Sequence, residues 1–383
     1  MDLVYVDHAA TSPLHPDILE VMMPYYTTHF GNPSSIHQAG RRARAALDQA
    51  RSEIASLLQV KEETLVFTSG GTEADNMAII GYAFENQERG RHIITSQIEH
   101  HAVLHACQEL EARGFEVTYL PVDESGEINP QTVKDALRDD TILVTIMYGN
   151  NEVGTIQPIA EIGEMLLDHQ AAFHTDAVQA CGVLELNLNS LPVDMASFSA
   201  HKINGPKGIG LLYTKERVKP LLYGGEQERK RRAGTENVAA IVGFAQALKL
   251  ATSTLQERKK QYEEFSQRII DGLVSEKVEF TINGSQSERL PHIINVSFPG
   301  IHIEQLLMNL DLVNIAASSG SACTAGSVEP SHVLVAMFGK EDKRLTSAVR
   351  FSFGYGNTNE QIDYVASQTA AIVNRLRETE QFI

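Results

Sequence analysis

Positive charge is scarce in this sequence. Against 49 Asp and Glu stand 32 Lys and Arg, which leaves a formal net charge of −17. Nucleic acids and anionic membranes are gripped mainly through Lys and Arg, so neither is expected as a bulk partner. The run "ERKRRAG", Glu228 to Gly234, is a local exception. Cysteine is equally rare. Cys107, Cys181 and Cys323 lie far apart and form no disulfide framework. No apolar run approaches the roughly 18 residues that a membrane helix needs. The opening "MDLVYVDHAA" has neither a basic stretch nor an apolar core of the kind that directs secretion. Repeats and low-complexity tracts are missing too. The expectation is a soluble, reduced, cytoplasmic protein.

What is present is a chain of 383 residues, 43% hydrophobic and 21% charged, long enough for two domains. "RAALDQARSEIASLL" puts Ala46, Leu47, Ala50, Ile54, Leu57 and Leu58 on one helical face. Seven short apolar or β-branched runs follow: "TLVFTS", "HIITS", "EVTYLPV", "TILVTIM", "AFHTDA", "MASFSA" and "GIGLLYT". Helical segments such as "HAVLHACQELEARG" and "IAEIGEMLLDHQ" separate the earlier ones. Continuous apolar strands spaced by helices predict a mostly parallel sheet covered on both faces, with an antiparallel pairing open to the last two runs. From Asn237 a long helical stretch turns from apolar to charged near Thr252 and reads as a bridge between domains. Beyond it, "EFTIN", "IINVSFPG" and "AVRFSFG" alternate with helices as a second, smaller α/β domain.

Five local signals carry chemistry. "TSGGTEADN" sets Gly71 and Thr72 between a strand and a helix, a phosphate cradle or an ordinary capped turn. "SAHKINGPKGIG" puts Lys202, with Ser199 and His201, at a strand end before a glycine loop, as a surface charge or a partly buried amine suited to imine formation. "HTDAVQA" places Asp176 at the edge of another strand, where it caps a helix or faces a cation such as a protonated ring nitrogen. "EHHAV" offers His100 and His101. His101 and His105 have a zinc-like spacing but no third ligand, so no metal is expected. Finally, "SSGSACTAGS" surrounds Cys323 with small polar residues that gain little from burial. It predicts a loop able to move, and a thiol suited to a travelling nucleophile or an incidental surface cysteine. Cys107 and Cys181 sit in apolar patterns and read as packing groups. "GPKGIG" is not the G-x-G-x-x-G of a dinucleotide site.

These signals occur in one order, from "YVDHAATSPL" and "GNPSSIH" through "GNNEVG" and "RRAGTEN" to "VRFSFG". In that order the whole chain resembles the cysteine desulfurases of the NifS/IscS-like class, which depend on pyridoxal 5'-phosphate (PLP). The resemblance implies the α/β PLP-dependent transferase fold type I: a large domain (15–255) with a mostly parallel seven-stranded sheet, and a smaller α/β C-terminal domain (1–14 and 256–383) carrying the cysteine loop. It implies Lys202 as the Schiff-base lysine and Asp176 as partner of the ring nitrogen. Gln179 and Asn151 would bond the phenolic oxygen, and His100 would stack on the ring and move protons. Gly71, Thr72, Ser199 and His201 would hold the phosphate, with Thr235 reaching the neighbouring subunit's phosphate in a homodimer. Arg350 would clamp the carboxylate of L-cysteine, with Asn151 beside it. Cys323 would take the substrate's sulfur as a persulfide, release alanine, and pass the sulfur to an acceptor protein of iron–sulfur cluster, tRNA-thiolation or vitamin pathways. Chains of the IscS type usually carry a further C-terminal segment that docks the iron–sulfur scaffold, whereas this sequence stops soon after "VNRLRETEQFI", so the acceptor stays open.

Overall fold

All seven apolar runs become strands of one sheet. The computed structural model describes residues 2–320 and 330–380. After the short β1 (Val4–Tyr5), the sheet is built from β2 (Leu65–Thr68), β3 (His92–Ser96), β4 (Glu116–Leu120), β5 (Thr141–Thr145), β6 (Ala172–Asp176), β7 (Met195–Ser199) and β8 (Gly210–Thr214). Their order is β2-β8-β7-β6-β5-β3-β4. Only β8 runs against its neighbours, pairing antiparallel with both β7 and β2. Every strand but the edge strand β4 is buried along its length, which is why each reads as an unbroken apolar run.

Helices cover both faces of this sheet. In chain order the first seven are α1 (Pro16–Thr27), α2 (Gln38–Leu58), α3 (Gly71–Asn76), α4 (Tyr82–Asn86), α5 (His101–Glu111), α6 (Pro130–Ala136) and α7 (Ile159–Leu166). A π-helical stretch, Met77–Gly81, joins α3 to α4. α8 (Val238–Ser253) and α9 (Leu255–Ser275) come after the sheet. On one face, Leu47, Ile54 and Leu58 of α2 pack with Phe173, Phe198 and Phe244. Each such aliphatic side chain contributes roughly 1.5–3 kcal/mol on burial. On the α2 face expected from sequence, Ala46 and Leu57 remain only half-buried. On the other sheet face, Met77, Tyr82, Val103, Cys107 and Leu110 form a second apolar layer.

The stretch after Asn237 is not one helix. Thr254 leaves helical geometry (φ −108°, ψ 11°), and α8 and α9 meet at 71°. The Thr254 N–H and hydroxyl both fall back on the Leu250 carbonyl, closing α8, while the Thr254 carbonyl accepts from Arg258 and starts α9. No single helix among the described residues is long and apolar enough to cross a membrane.

Beyond α9 lie β9 (Thr281–Asn283), β10 (Ile293–Ser297), α10 (Ile303–Leu312), β11 (Ile315–Ala316), α11 (His332–Phe338), β12 (Ala348–Ser352) and α12 (Asn359–Glu380). β12, β10 and β9 form an antiparallel sheet, and β1 pairs with β11. Phe265, Phe298, Phe351, Phe353 and Val365 build a separate apolar cluster there, to which Val4 and Val6 at the other end of the chain belong. That return of the N-terminal segment matters for the site, because it brings residues 5–12 across the edge of the large sheet.

Candidate active site

The parallel strands end at one edge, and the residues that follow them converge there. Thr68 of β2 leads into Gly71 and Thr72, Ser96 of β3 into His100, and Thr145 of β5 into Asn151. Asp176 closes β6, and Ser199 closes β7 just before His201 and Lys202. In open α/β sheets ligands collect at this carboxyl edge.

Lys202 is held under the N-terminal segment. Its Nζ donates to the carbonyls of Ala9 and Ala10, the latter at 2.8 Å. Desolvation, reinforced by the nearby Arg350 cation, lowers its pKa to about 8, while Asp176 and Asp7 oppose the shift. Such an amine is readily available as a free base. If Lys202 is the imine-forming lysine that the resemblance implies, uptake of PLP by the apoenzyme is expected to accelerate about tenfold per pH unit below pH 8 and to level off above it, because the neutral amine is the reacting form. An ordinary lysine would keep accelerating to about pH 10. Absorbance-monitored mixing across neutral and alkaline pH distinguishes the two.

Asp176 is buried and accepts the Val178 N–H at Oδ1 (2.9 Å). A second carboxyl, Asp75 of α3, lies fully buried beside it, with Oδ1 unpartnered among the described residues. Burial pushes both upward, and repulsion from Asp176 and Glu99 pushes Asp75 further against only a Ser197 hydrogen bond, whereas the Val178 N–H and the Lys202 cation draw Asp176 back. The proton therefore rests on Asp75 and the charge on Asp176. Behind them, His174 links Thr145 (2.8 Å) and Ser197 (2.9 Å), and burial keeps the imidazole neutral, with its pKa near 3.

Gly71 has no room for a side chain, since a Cβ there would stand 2.9 Å from Val178 Cγ2. That close approach brings the start of α3 beside Ser199. His201 shares a hydrogen bond with the Thr11 hydroxyl (3.0 Å), and burial lowers its pKa to about 4. His100 caps α5 by accepting the Ala102 N–H at Nδ1 (3.1 Å). Although the residue is exposed, desolvation, then repulsion from Lys202 and neighbouring histidines, hold its pKa down to about 4. Gln179 donates to the Ala9 carbonyl (3.0 Å) and meets His292 (3.3 Å). Arg350 of β12 is buried, with Nη1 donating to the Asn151 carbonyl and Nη2 to Asp7, both at 2.7 Å.

The donor set fits PLP: an amine of lowered pKa for its carbonyl carbon, a buried charged carboxylate for its ring nitrogen, and hydroxyl, imidazole and helix-start N–H groups for its phosphate. Thr235 stands apart from these groups. It is exposed and lines, with Thr68, Ser69, Gly208 and Arg232, a separate cavity of 210 Å³. Cys323 lies outside the described residues. Cys107 and Cys181 are buried, and their thiol pKa values are pushed up by desolvation, Cys181 to about 12. His101 stacks on His105 (5.1 Å between ring centres) and also packs on His332 (4.7 Å), but among the described residues no three ligands are arranged to hold a metal ion. Asp7, Asp75 and His332 escaped the sequence reading. Asp7 stands inside the quoted "YVDHAATSPL" and Asp75 inside "TSGGTEADN", so a charged residue in an otherwise apolar or capping context was the available signal.

Fold and site together define a PLP enzyme of fold type I. The chain belongs to the class-V aminotransferase family, whose pattern matches residues 4–365. It is 56% identical over 98% of its length, and over the whole of the relative, to a protein of Bacillus subtilis (strain 168) described as putative cysteine desulfurase IscS 1. The cysteine desulfurase IscS of Methanosarcina thermophila is 49% identical, over 98% of this chain and 93% of that protein. Among solved structures, a NifS-like protein superposes with a TM-score of 0.90 at 36% identity, covering both chains fully. A structure described as SspA in complex with cysteine gives 0.80 at 37% identity, over 91% of this chain and 98% of that one.

Proposed function

We propose that this enzyme is a cysteine desulfurase that converts L-cysteine to L-alanine and carries the sulfur away as a persulfide on Cys323. The observation that carries this reading is the 56% identity to the Bacillus subtilis relative of that name across essentially the whole chain. The convergence of Lys202, Asp176 and Arg350 at one sheet edge supports it chemically.

When bound, PLP supplies an electrophilic carbonyl and an electron-withdrawing ring that disperses negative charge arising on the substrate's Cα. Asp176, whose charged form is favoured by the Val178 N–H and the Lys202 cation, would accept a hydrogen bond from the protonated ring nitrogen. Gly71, Thr72, Ser199 and His201 would hold the phosphate, Asn151 and Gln179 would bond the phenolic oxygen, and His100 would stack on the ring and move protons. Lys202 would hold the group and, as free base, would take up and return the Cα proton. Arg350 grips the substrate carboxylate, with Asn151 alongside. The Cys323 thiolate then attacks the substrate sulfur. A sulfur–sulfur bond forms, the carbon–sulfur bond breaks with its electron pair left on carbon, and that carbon takes a proton. One enzyme thiol plus cysteine thus gives one enzyme persulfide plus alanine.

The same reading makes the protein a homodimer in which Thr235 reaches the partner's phosphate. In support, Tyr26, Phe30, Ile36 and Tyr223 are large apolar side chains left exposed, Ile36 to 90%. The domains divide at 15–255 against 1–14 with 256–383, in keeping with the separate apolar clusters. The enzyme works in the cytoplasm and hands its sulfur to an acceptor protein in iron–sulfur assembly, tRNA thiolation or a vitamin pathway. The test is turnover of L-cysteine with a thiol reductant. Alanine and sulfide are expected in equal amounts, whereas pyruvate and ammonia in place of alanine would mark a lyase and reject the reading.

A further inference from the structure

Arg350 and Asp7 form an ion pair between residues 343 apart in sequence, and its two sides are unequal. The Arg350 side chain is 4% exposed and that of Asp7 is 20% exposed. Asp7 reaches the guanidinium with a single oxygen, Oδ1 on Nη2, while Nη1 is occupied by the Asn151 carbonyl. Nε is buried and has no partner among the described residues. A guanidinium carries five N–H groups and is at its strongest in a two-pronged grip on a carboxylate. The contact with Asp7 leaves that grip unused.

The backbone around Asp7 is pinned. Val6 donates to the Ala316 carbonyl, Ser352 donates to the Val6 carbonyl, Ala9 donates to the Ser352 hydroxyl, and the Tyr5 hydroxyl donates to the Asp7 carbonyl at 3.0 Å. Arg350 is fixed in turn by its β10 partner and by Ser318. Both main chains are therefore held, and the freedom that remains belongs to the Asp7 carboxylate, which borders solvent.

We propose that Asp7 is a stand-in for the substrate carboxylate. Between turnovers it neutralises Arg350, and an incoming amino acid must win the guanidinium from it. Asp7 thereby sets how tightly carboxylate-bearing substrate and product are held, acting through Arg350 as a positioning residue. The proposal rests on reading Arg350 as the substrate clamp. Two like charges sharing one guanidinium repel, so every bound carboxylate is weakened by the presence of Asp7. The gain is release: without the Asp7 carboxylate directly on it, a buried Arg350, facing otherwise among the described residues only the more distant Glu152, would retain the product alanine.

The experiment measures L-alanine binding to the PLP-loaded enzyme from the change in cofactor absorbance. In Asp7→Asn, which keeps shape and one acceptor oxygen but no charge, the alanine dissociation constant is expected to fall roughly tenfold, the scale of one contested charge-assisted hydrogen bond. The KM for cysteine is expected to fall with it while kcat does not rise. Asp7→Glu, which keeps the charge, is expected to stay near wild type, and Asp7→Ser serves as a second neutral variant should Asp7→Asn not fold. A further readout is the pH titration of the bound cofactor's absorbance. Lys202 faces Asp7, Asp176 and Arg350, with His100, His201 and His292 also within its field, so loss of the Asp7 charge moves that titration to lower pH. Equal or weaker alanine binding in both neutral variants would overturn the proposal, as would tighter binding in Asp7→Glu of the same size as in Asp7→Asn. Arg350→Ala separates the two levels. If it leaves alanine affinity unchanged, the clamp itself fails. If it abolishes binding while Asp7→Asn changes nothing, the stand-in alone fails.

Discussion

Lys202→Ala is expected to end turnover, with a fall of roughly 10³-fold or more, because in the proposed mechanism one side chain supplies both the covalent hold on PLP and the proton transfer at Cα. The reason lies in the environment of the amine. Burial and the Arg350 cation bring its pKa to about 8, so about a tenth is free base at pH 7 and about half at pH 8, far more than for an ordinary lysine. Lys202→Arg sharpens the expectation. The guanidinium preserves positive charge and can still donate to the Ala9 and Ala10 carbonyls, but it stays protonated throughout the accessible pH range. It is expected to be as inactive as the alanine variant, whereas substantial activity in Lys202→Arg would mean that charge rather than a free amine is what the site needs. Alanine formation from cysteine is the measurement, and borohydride reduction followed by peptide mapping shows whether the cofactor had been attached at position 202.

Cys323→Ala is expected to remove sulfur transfer, by roughly 10³-fold or more, while the bound cofactor absorbs as in the wild type and still responds to added cysteine. This separation follows from the division of labour. The groups proposed to surround the cofactor end or follow β2, β3, β5, β6 and β7, or stand on β12, and the proposal gives Cys323 no part in holding it. The other two thiols offer no substitute, since desolvation pushes both strongly toward the protonated form and both are enclosed in apolar clusters. Sulfide release that persists in Cys323→Ala would point to direct elimination from the substrate.

Much of the scaffold was legible because burial leaves a plain mark on sequence. A strand covered on both faces is an unbroken apolar run, as in "TILVTIM" and "MASFSA", and each of these became a strand. Lys202 and Asp176 were legible for a related reason: a charged residue directly after such a run has to stand at the sheet edge. The break between α8 and α9 was not legible. No glycine or proline stands near Thr254, and although Thr252 and Ser253 are weak helix formers, the turn itself is made by hydrogen bonds from Thr254 to Leu250. The partners of Arg350 were hidden too. Asp7 is separated from it by almost the whole chain, and only the return of the N-terminal segment alongside β12 brings them together. Asp75 was overlooked because an Asp near a helix start ordinarily caps or faces water, whereas here the helix turns it inward beside Asp176. Long-range electrostatics of this kind depends on tertiary neighbours that local pattern does not encode.

The most direct test loads the enzyme with PLP, adds one equivalent of L-cysteine without reductant, alkylates at once, and maps the peptides by mass spectrometry. A single added sulfur atom on the peptide containing Cys323, matched by one alanine per active site, is the expected result. Alanine released with no sulfur on that peptide, or sulfur found instead on Cys107 or Cys181, would contradict it.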